Sequence, residues 1–293
     1  MRIFVSGGSG LLGSRVAETA LSRGDEVYSG YAHNRPRFGV PVRLDLQERE
    51  GISDLIFKIM PDVVIHTAAL TDVDRCELER DLAYRVNVEG TASLATAAEK
   101  AGSFMVYVST DYVFDGRRGM YREDDPTDPV NYYGYTKLLG ERLCQGCIAR
   151  TCVIYGSRPA SGKVNFALWL LESLRKGRSV RVVTDQFITP TLDANLAGMM
   201  LEAADRGLEG VYNLAGSTRI SRYDFALELA RVFGLDDGLI LPSRMAEMRW
   251  AARRPSDSSL DTSKARRELS EGPMPIEEAL EALRAEVFKS EEV

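Results

Sequence analysis

In the first 155 residues of this 293-residue chain, short apolar runs alternate with helical stretches, and no other feature narrows the fold so far. Arg2 to Ser6 (RIFVS) reads as a strand that runs straight into Gly7-Gly8-Ser9-Gly10-Leu11-Leu12-Gly13. Leu11 to Arg23 then spaces its apolar residues as a helix does and stops at Gly24, a C-cap signal. Further strands are expected at 26–31, 40–44, 62–66, 104–109 and 148–154. Helices are expected at 52–60 (stopped by Pro61), at 80–101 and at 131–143. The run DVVIH, ending at His66, is apolar almost throughout, as in a strand buried on both faces. Such alternation without internal repeat predicts an α/β fold, a parallel sheet with helices on both faces.

After Tyr155 the pattern loosens. Helices are expected near 164–176, 193–205, 221–233 and 275–289, and strands near 179–183 and 210–214. The division expected is a nucleotide-binding unit at 1–155 and a smaller lobe at 156–293, with segments of about 184–215 returning to the first unit. No Pro/Gly/Ser-rich linker separates the two, so close packing with ligand between them is expected.

Composition excludes several classes. Net charge is 37 − 43 = −6, which argues against a general nucleic-acid binder or an anionic-membrane binder. No apolar run approaches the roughly 20 residues that cross a bilayer, and Met1 to Gly13 does not read as a signal peptide. Cys76, Cys144, Cys147 and Cys152 are too few for a disulfide scaffold. A cytoplasmic protein in a reducing compartment is the expectation. Cys144-x-x-Cys147 lacks a second ligand pair, so no metal is expected.

Gly7, Gly10 and Gly13 are spaced G-x-x-G-x-x-G between a strand and a helix. A tight turn needs glycine, and a pyrophosphate needs close approach to the free N–H groups at a helix N-terminus. The second strand ends in Tyr31-Ala32-His33-Asn34-Arg35-Pro36-Arg37, without the acid that grips a ribose 2′-hydroxyl. Arg35 and Arg37 can instead hold a 2′-phosphate, which favours NADPH, with NADH as the alternative. A merely solvated arginine loop is the competing reading.

Asn131 to Lys137 reads NYYGYTK. Tyr133 and Lys137 are four apart and share a helix face. An ammonium lowers the pKa of a nearby phenol, so the pair can protonate a carbonyl oxygen as hydride arrives. Ser109-Thr110-Asp111-Tyr112 follows the strand FMVYV, where open α/β sheets place their active sites. Tyr132 and Tyr135 have the wrong spacing to Lys137 and read as packing or substrate-side residues. His66 reads as a satisfied core histidine, Trp169 as core, and Trp250 as packing or ligand cover. The acidic loop Asp72, Asp74, Glu77 and Glu79 reads as a solvated helix start.

Together GGSGLLG, HTAA (66–69), RVNVEGT (85–91), STDYVFDG (109–116) and YGYTK resemble the extended short-chain dehydrogenase/reductases. STDYVFDG, VNF, VVTDQFITPT and RRPSDSSLDTSK make the chain similar to the dTDP-4-dehydrorhamnose reductase family along nearly its whole length. The resemblance implies a Rossmann doubly wound parallel sheet with a smaller C-terminal substrate-binding lobe. It implies NADPH-dependent reduction of a nucleotide-linked 4-keto-6-deoxy sugar, most simply dTDP-4-dehydro-L-rhamnose to dTDP-L-rhamnose. Tyr133 would be the proton donor, with Lys137 its partner and a grip on the nicotinamide ribose; Thr110 would polarise the C4 carbonyl. Asp111 and Tyr112 would line the sugar site, with Arg254 and its neighbour Arg253 towards the sugar nucleotide. Gly10, Leu11 and Leu12 would hold the pyrophosphate, Asp45 and Leu46 the adenine, and Ala68 and Ala69 the middle of the cofactor.

Two positions depart from the family pattern. Val153 stands where a tryptophan is frequent, so a substrate-stacking contact is lost or supplied elsewhere. Arg15 stands where some members carry a magnesium-binding glutamate, so that metal-bridged dimer is not expected; a plain homodimer stays open. The chain also resembles the methionine adenosyltransferase beta subunit, which implies an alternative, a non-catalytic NADP-binding regulatory subunit. Another nucleotide-sugar reductase or an epimerase of the same superfamily is the third reading.

Overall fold

The computed structural model describes residues 1–160 and 164–291. Seven strands form one parallel sheet: β1 (Arg2–Ser6), β2 (Glu26–Tyr31), β3 (Val40–Arg43), β4 (Val63–His66), β5 (Phe104–Thr110), β6 (Cys147–Thr151) and a late strand, Gly210–Asn213. Their order across the sheet is Gly210–Asn213, β6, β5, β4, β1, β2, β3. Chain order therefore reverses between β1 and β4. In a doubly wound sheet the crevice beyond the carboxyl ends of such strands is where ligands bind.

Register explains why the strands are so apolar. Ile3, Phe4 and Val5 of β1 face Val63, Val64 and Ile65 of β4, and all six are buried. Helix α1 (Leu11–Ser22) places Val16, Ala17 and Ala20 on one face of the sheet, beside Leu196, Met199 and Met200 of the helix Asp193–Asp205. On the other face lie Ile52, Ile56 and Ile59 of the helix Ile52–Ile59 and Leu94, Ala97 and Ala98 of the helix Thr91–Lys100. Burial in these two layers stabilises the fold by about 0.8 kcal/mol for each buried methylene.

A second core joins Leu170, Leu171 and Leu174 to Phe225, Leu229, Leu280 and Leu283. Its helices are Phe166–Arg175, Arg222–Phe233 and Ile276–Glu291, and its strands Val180–Val183 and Ile240–Ser243 pair in parallel. Three late segments pack on the first core rather than this one: the helix Asp193–Asp205, the strand Gly210–Asn213 and the helix Ser263–Glu268 with Leu269. The last of these has no counterpart in the sequence reading, because six residues are too few for a periodic signal.

The single helix expected over 80–101 is three pieces. Arg80–Tyr84 is α-helical, Arg85–Gly90 is a π-helical turn and Thr91–Lys100 is α-helical again. Apolar spacing alone does not reveal a π turn, which adds one residue without a break in hydrophobicity. No helix among the described residues is long and apolar enough to cross a membrane.

Candidate active site

A cleft of 790 Å³ opens at the carboxyl ends of β1, β4 and β5. Gly7, Gly10, Leu11, Leu12 and Gly13 form its floor, and Asp45, Leu46, Ala68 and Ala69 line it further along. Gly7 has φ 71°, in the left-handed region that favours glycine. A Cβ on Gly13 would lie 2.3 Å from the Gly7 carbonyl oxygen, so the turn could not close. Gly10 caps α1 without a side-chain bond, and no acid stands in the first turn. The leading N–H groups of α1 therefore face the cleft uncapped, as a pyrophosphate requires. Donor set and cradle both fit a dinucleotide.

Behind the cradle, the Ser6 hydroxyl pairs with His66 Nδ1 at 2.6 Å and His66 Nε2 with Thr91 Oγ1 at 3.0 Å. His66 is buried, and burial together with the Lys137 charge pushes its pKa down to about 3. It is a satisfied neutral core residue. The Asn87 carboxamide, on the π-helical turn, accepts from the Leu70 N–H at 2.7 Å and donates to Thr136 Oγ1 at 3.0 Å. It thereby ties the loop after β4 to the helix that carries Tyr133.

That helix, Tyr132–Glu141, starts at Asn131, whose side chain accepts from the Gly134 N–H at 2.9 Å. Tyr133 and Lys137 both project into the cleft beside Thr110 and Asp111. The pairing effect expected from sequence takes a different form. Burial and the Asp111 carboxylate raise the Tyr133 pKa above the ordinary phenol value, with partial relief from the Thr110 hydroxyl. Lys137 sits with its ammonium 4.1 Å from the Tyr107 ring centre, and burial lowers its pKa to about 8. The phenol is thus held protonated, the state that a proton donor needs.

Thr110 Oγ1 donates to Asp111 Oδ1 at 3.0 Å and accepts from the Tyr112 N–H at 3.2 Å. Asp111 Oδ2 accepts from Ser258 and, at 3.1 Å, from the Cys152 thiol. Burial raises the Asp111 pKa against these bonds. Beneath the site, Ser109 donates to Glu141 at 2.5 Å and Arg150 Nη2 donates to Glu141 Oε2 at 2.8 Å. Neither Arg150 nor Glu141 was singled out from sequence, since a buried ion pair nine residues apart has no local signature.

Tyr112 and Arg254 line a second pocket of 390 Å³, not the main cleft. The Tyr112 ring meets Tyr133 edge-on at 6.1 Å between centres, so the two spaces adjoin. Arg181, Arg222, Phe166, Trp169 and Trp250 complete this second wall. Trp169 is not core: it is 40% exposed and stacks on Phe166 at 5.9 Å. Arg254 lies over the Trp250 ring at 5.3 Å and donates to Asp74 at 2.9 Å. Asp74 also accepts from the Ala252 N–H at 2.8 Å. Burial opposes the Asp74 charge, but these partners outweigh it and lower its pKa. Glu77 accepts from the Tyr132 N–H at 2.9 Å. The acidic loop is therefore more than a solvated helix start: Asp72 caps the helix Val73–Leu78, while Asp74 and Glu77 tie it to neighbouring segments.

Arg35 and Arg37 border a third pocket of 220 Å³ that adjoins the cleft. The Arg253 side chain lines none of these three pockets, but its carbonyl accepts from Asn131 Nδ2 at 2.9 Å. Val153 lines the cleft with φ 40°, an unusual backbone for a branched residue. Arg15 lies 3.2 Å from Asp193 and also pairs with Glu286. The four cysteines are free thiols.

The model of the RmlD substrate binding domain family matches residues 1–288. The chain belongs to that family. It is 36% identical to the probable low-salt glycan biosynthesis reductase Agl14 of Haloferax volcanii, over 97% of this chain and 98% of that one. The dTDP-4-dehydrorhamnose reductase of Bacillus anthracis, solved in complex with NADP, superposes with a TM-score of 0.87 at 30% identity, over 97% of this chain and 99% of that one. The methionine adenosyltransferase 2 subunit beta of Danio rerio is 30% identical over 90% of this chain and 83% of its own length. The family match thus spans the nucleotide cradle, the Tyr133 helix and the second pocket alike.

Proposed function

We propose that this chain is an NADPH-dependent reductase of a nucleotide-linked 4-keto-6-deoxy sugar, with dTDP-4-dehydro-L-rhamnose as substrate and dTDP-L-rhamnose as product. The observation that carries this reading is the convergence of Thr110, Tyr133 and Lys137 on the cleft that the glycine turn floors. NADPH, when bound, supplies the hydride to sugar C4.

The chain's own groups do the rest. The α1 N-terminus and Gly7, Gly10, Leu11, Leu12 and Gly13 hold the pyrophosphate, Asp45 and Leu46 border the adenine, and Ala68 and Ala69 flank the middle of the cofactor. Arg35 meets the 2′-phosphate. Tyr133 transfers its phenolic proton to the developing alkoxide, which is the stronger base, so transfer runs downhill. Lys137 stabilises the phenolate left behind and binds the nicotinamide ribose. Thr110 turns its hydroxyl from Asp111 Oδ1 to the C4 carbonyl oxygen, while Ser258 and Cys152 stay bonded to Asp111 Oδ2. In the smaller lobe, the arginines and aromatic rings of the second pocket offer charge for a diphosphate and faces for a base. Among these, Trp169 and Trp250 can supply the stacking absent at Val153.

The test is turnover of a panel of 4-keto sugar nucleotides with NADPH and NADH, with each product sugar identified by NMR. Reduction of the dTDP-linked 4-keto sugar with NADPH is expected. No turnover of any keto sugar, together with co-purification of a synthetase, would instead favour a regulatory subunit. That second reading rests on the 30% identity to the beta subunit.

A further inference from the structure

Arg158 was not among the residues that sequence marked for the cofactor. It follows Tyr155-Gly156-Ser157, past the last strand of the first unit, more than 120 residues from Arg35. The fold nevertheless brings its side chain to the end of β2. The Arg158 guanidinium carbon lies 5.8 Å from the Phe38 ring centre, and that of Arg37 lies 5.9 Å from the same ring. Arg35, Arg37 and Arg158 all border the 220 Å³ pocket. This pocket shares Ser9, Leu11, Asn34 and Arg158 with the main cleft.

The charges in this pocket are unequally committed. Arg15 is held by Asp193 and by Glu18, each at 3.2 Å, and by Glu286. Neither Arg35 nor Arg37 has an ion-pair partner among the described residues. Arg158 forms a fork with Glu18, with Nη1 and Nη2 each 3.0 Å from one carboxylate oxygen. That pair is more than a third exposed on the arginine side, so solvent screens it and its net worth is small. A dianionic phosphate in the pocket offers the same fork a stronger acceptor than Glu18 does.

We propose that Arg158 is a specificity-determining residue for the phosphorylated cofactor: it closes on the 2′-phosphate together with Arg35 and exchanges Glu18 for it. This rests on the NADPH reading of the cleft. It adds to that reading a residue from beyond β6, so that the 2′-phosphate bridges the end of β2 and the segment leading to the smaller lobe.

The experiment is calorimetric binding of 2′,5′-ADP and of 5′-AMP, which differ in the 2′-phosphate and need no sugar substrate. Wild type is expected to prefer 2′,5′-ADP. Arg158→Ala should weaken 2′,5′-ADP binding about tenfold, as the loss of one charge-assisted contact does, and leave 5′-AMP within about twofold. Glu18→Gln, which removes the competing carboxylate, should tighten 2′,5′-ADP. Two results overturn the inference while the NADPH reading stands: wild type prefers 2′,5′-ADP but Arg158→Ala keeps that preference, or the variant weakens both ligands equally. If wild type binds the two probes equally, the NADPH reading fails and the role of Arg158 with it.

Discussion

In the proposed reaction, Tyr133 and Lys137 work in opposite protonation senses. The phenol must stay neutral to give a proton, and burial keeps it so. The amine must stay charged to hold the resulting phenolate, and burial weakens that charge by lowering its pKa to about 8. The sign follows directly: the ammonium is present below pH 8 and is lost as pH rises through it. kcat/KM for reduction should therefore fall on the alkaline side near pH 8, and the pH–rate profile of the free enzyme checks this. A flat profile to pH 10 would count against the assigned role of Lys137. His66 makes a second prediction. Its folded pKa, about 3, lies below the ordinary value of 6.5, so it is neutral in the folded protein. The stability it contributes is complete above pH 6.5 and is lost as pH falls towards 3. An NMR titration should find its ring unprotonated at pH 5; a midpoint near 6.5 would contradict the burial. That Thr110, Tyr133 and Lys137 share one cleft was legible because they lie in short local spacings. Sequence did not reveal Trp169, whose exposure depends on where a helix lands, or Arg158, whose partners lie more than a hundred residues away.

At the scale of elements, the helix Tyr132–Glu141 is set by what its glycines leave out. A Cβ on Gly134 would fall 2.1 Å from the Tyr112 carbonyl oxygen, and one on Gly140 would fall 2.0 Å from the Tyr107 hydroxyl. The helix lies this close to β5 and the turn after it because neither side chain exists. Gly134→Ala should displace Tyr133 from Thr110. The expected result is a fall in kcat of about a hundredfold, as for a misplacement of about 1 Å, with the fold retained by circular dichroism. The Glu141–Arg150 pair locks the other end of this helix to β6, with both side chains nearly inaccessible. Arg150→Met leaves a buried carboxylate unpaired and should cost about 3–5 kcal/mol in urea unfolding. The central strands β1, β4 and β5 were readable because burial on both faces writes nearly continuous apolar runs. The π-helical turn at Arg85–Gly90 was not, because its polar partners are distant in sequence: Asn87 bonds Leu70 and Thr136.

For the whole molecule, the order reversal between β1 and β4 sets the main cleft at the carboxyl ends of the strands, and residues of the smaller lobe line the pocket beside it. The parallel sheet with helices on both faces was legible from alternation alone, and its doubly wound order from the family resemblance. Of the three late segments that pack on the first core, Asp193–Asp205 and Gly210–Asn213 lie within the stretch of about 184–215 expected to return, and Ser263–Glu268 is too short to read. The net charge of −6 conceals the arrangement that matters, with arginines gathered around both smaller pockets. Arg254→Ala should raise KM for the sugar nucleotide about tenfold while the Kd for NADPH stays unchanged, which steady-state kinetics and direct titration can separate. The central claim is proton donation by Tyr133, and it is tested most directly by NADPH oxidation with dTDP-4-dehydro-L-rhamnose, wild type against Tyr133→Phe. The account predicts turnover by wild type and a loss of about a hundredfold or more in the variant, with NADPH binding intact; equal rates for the two proteins would contradict it.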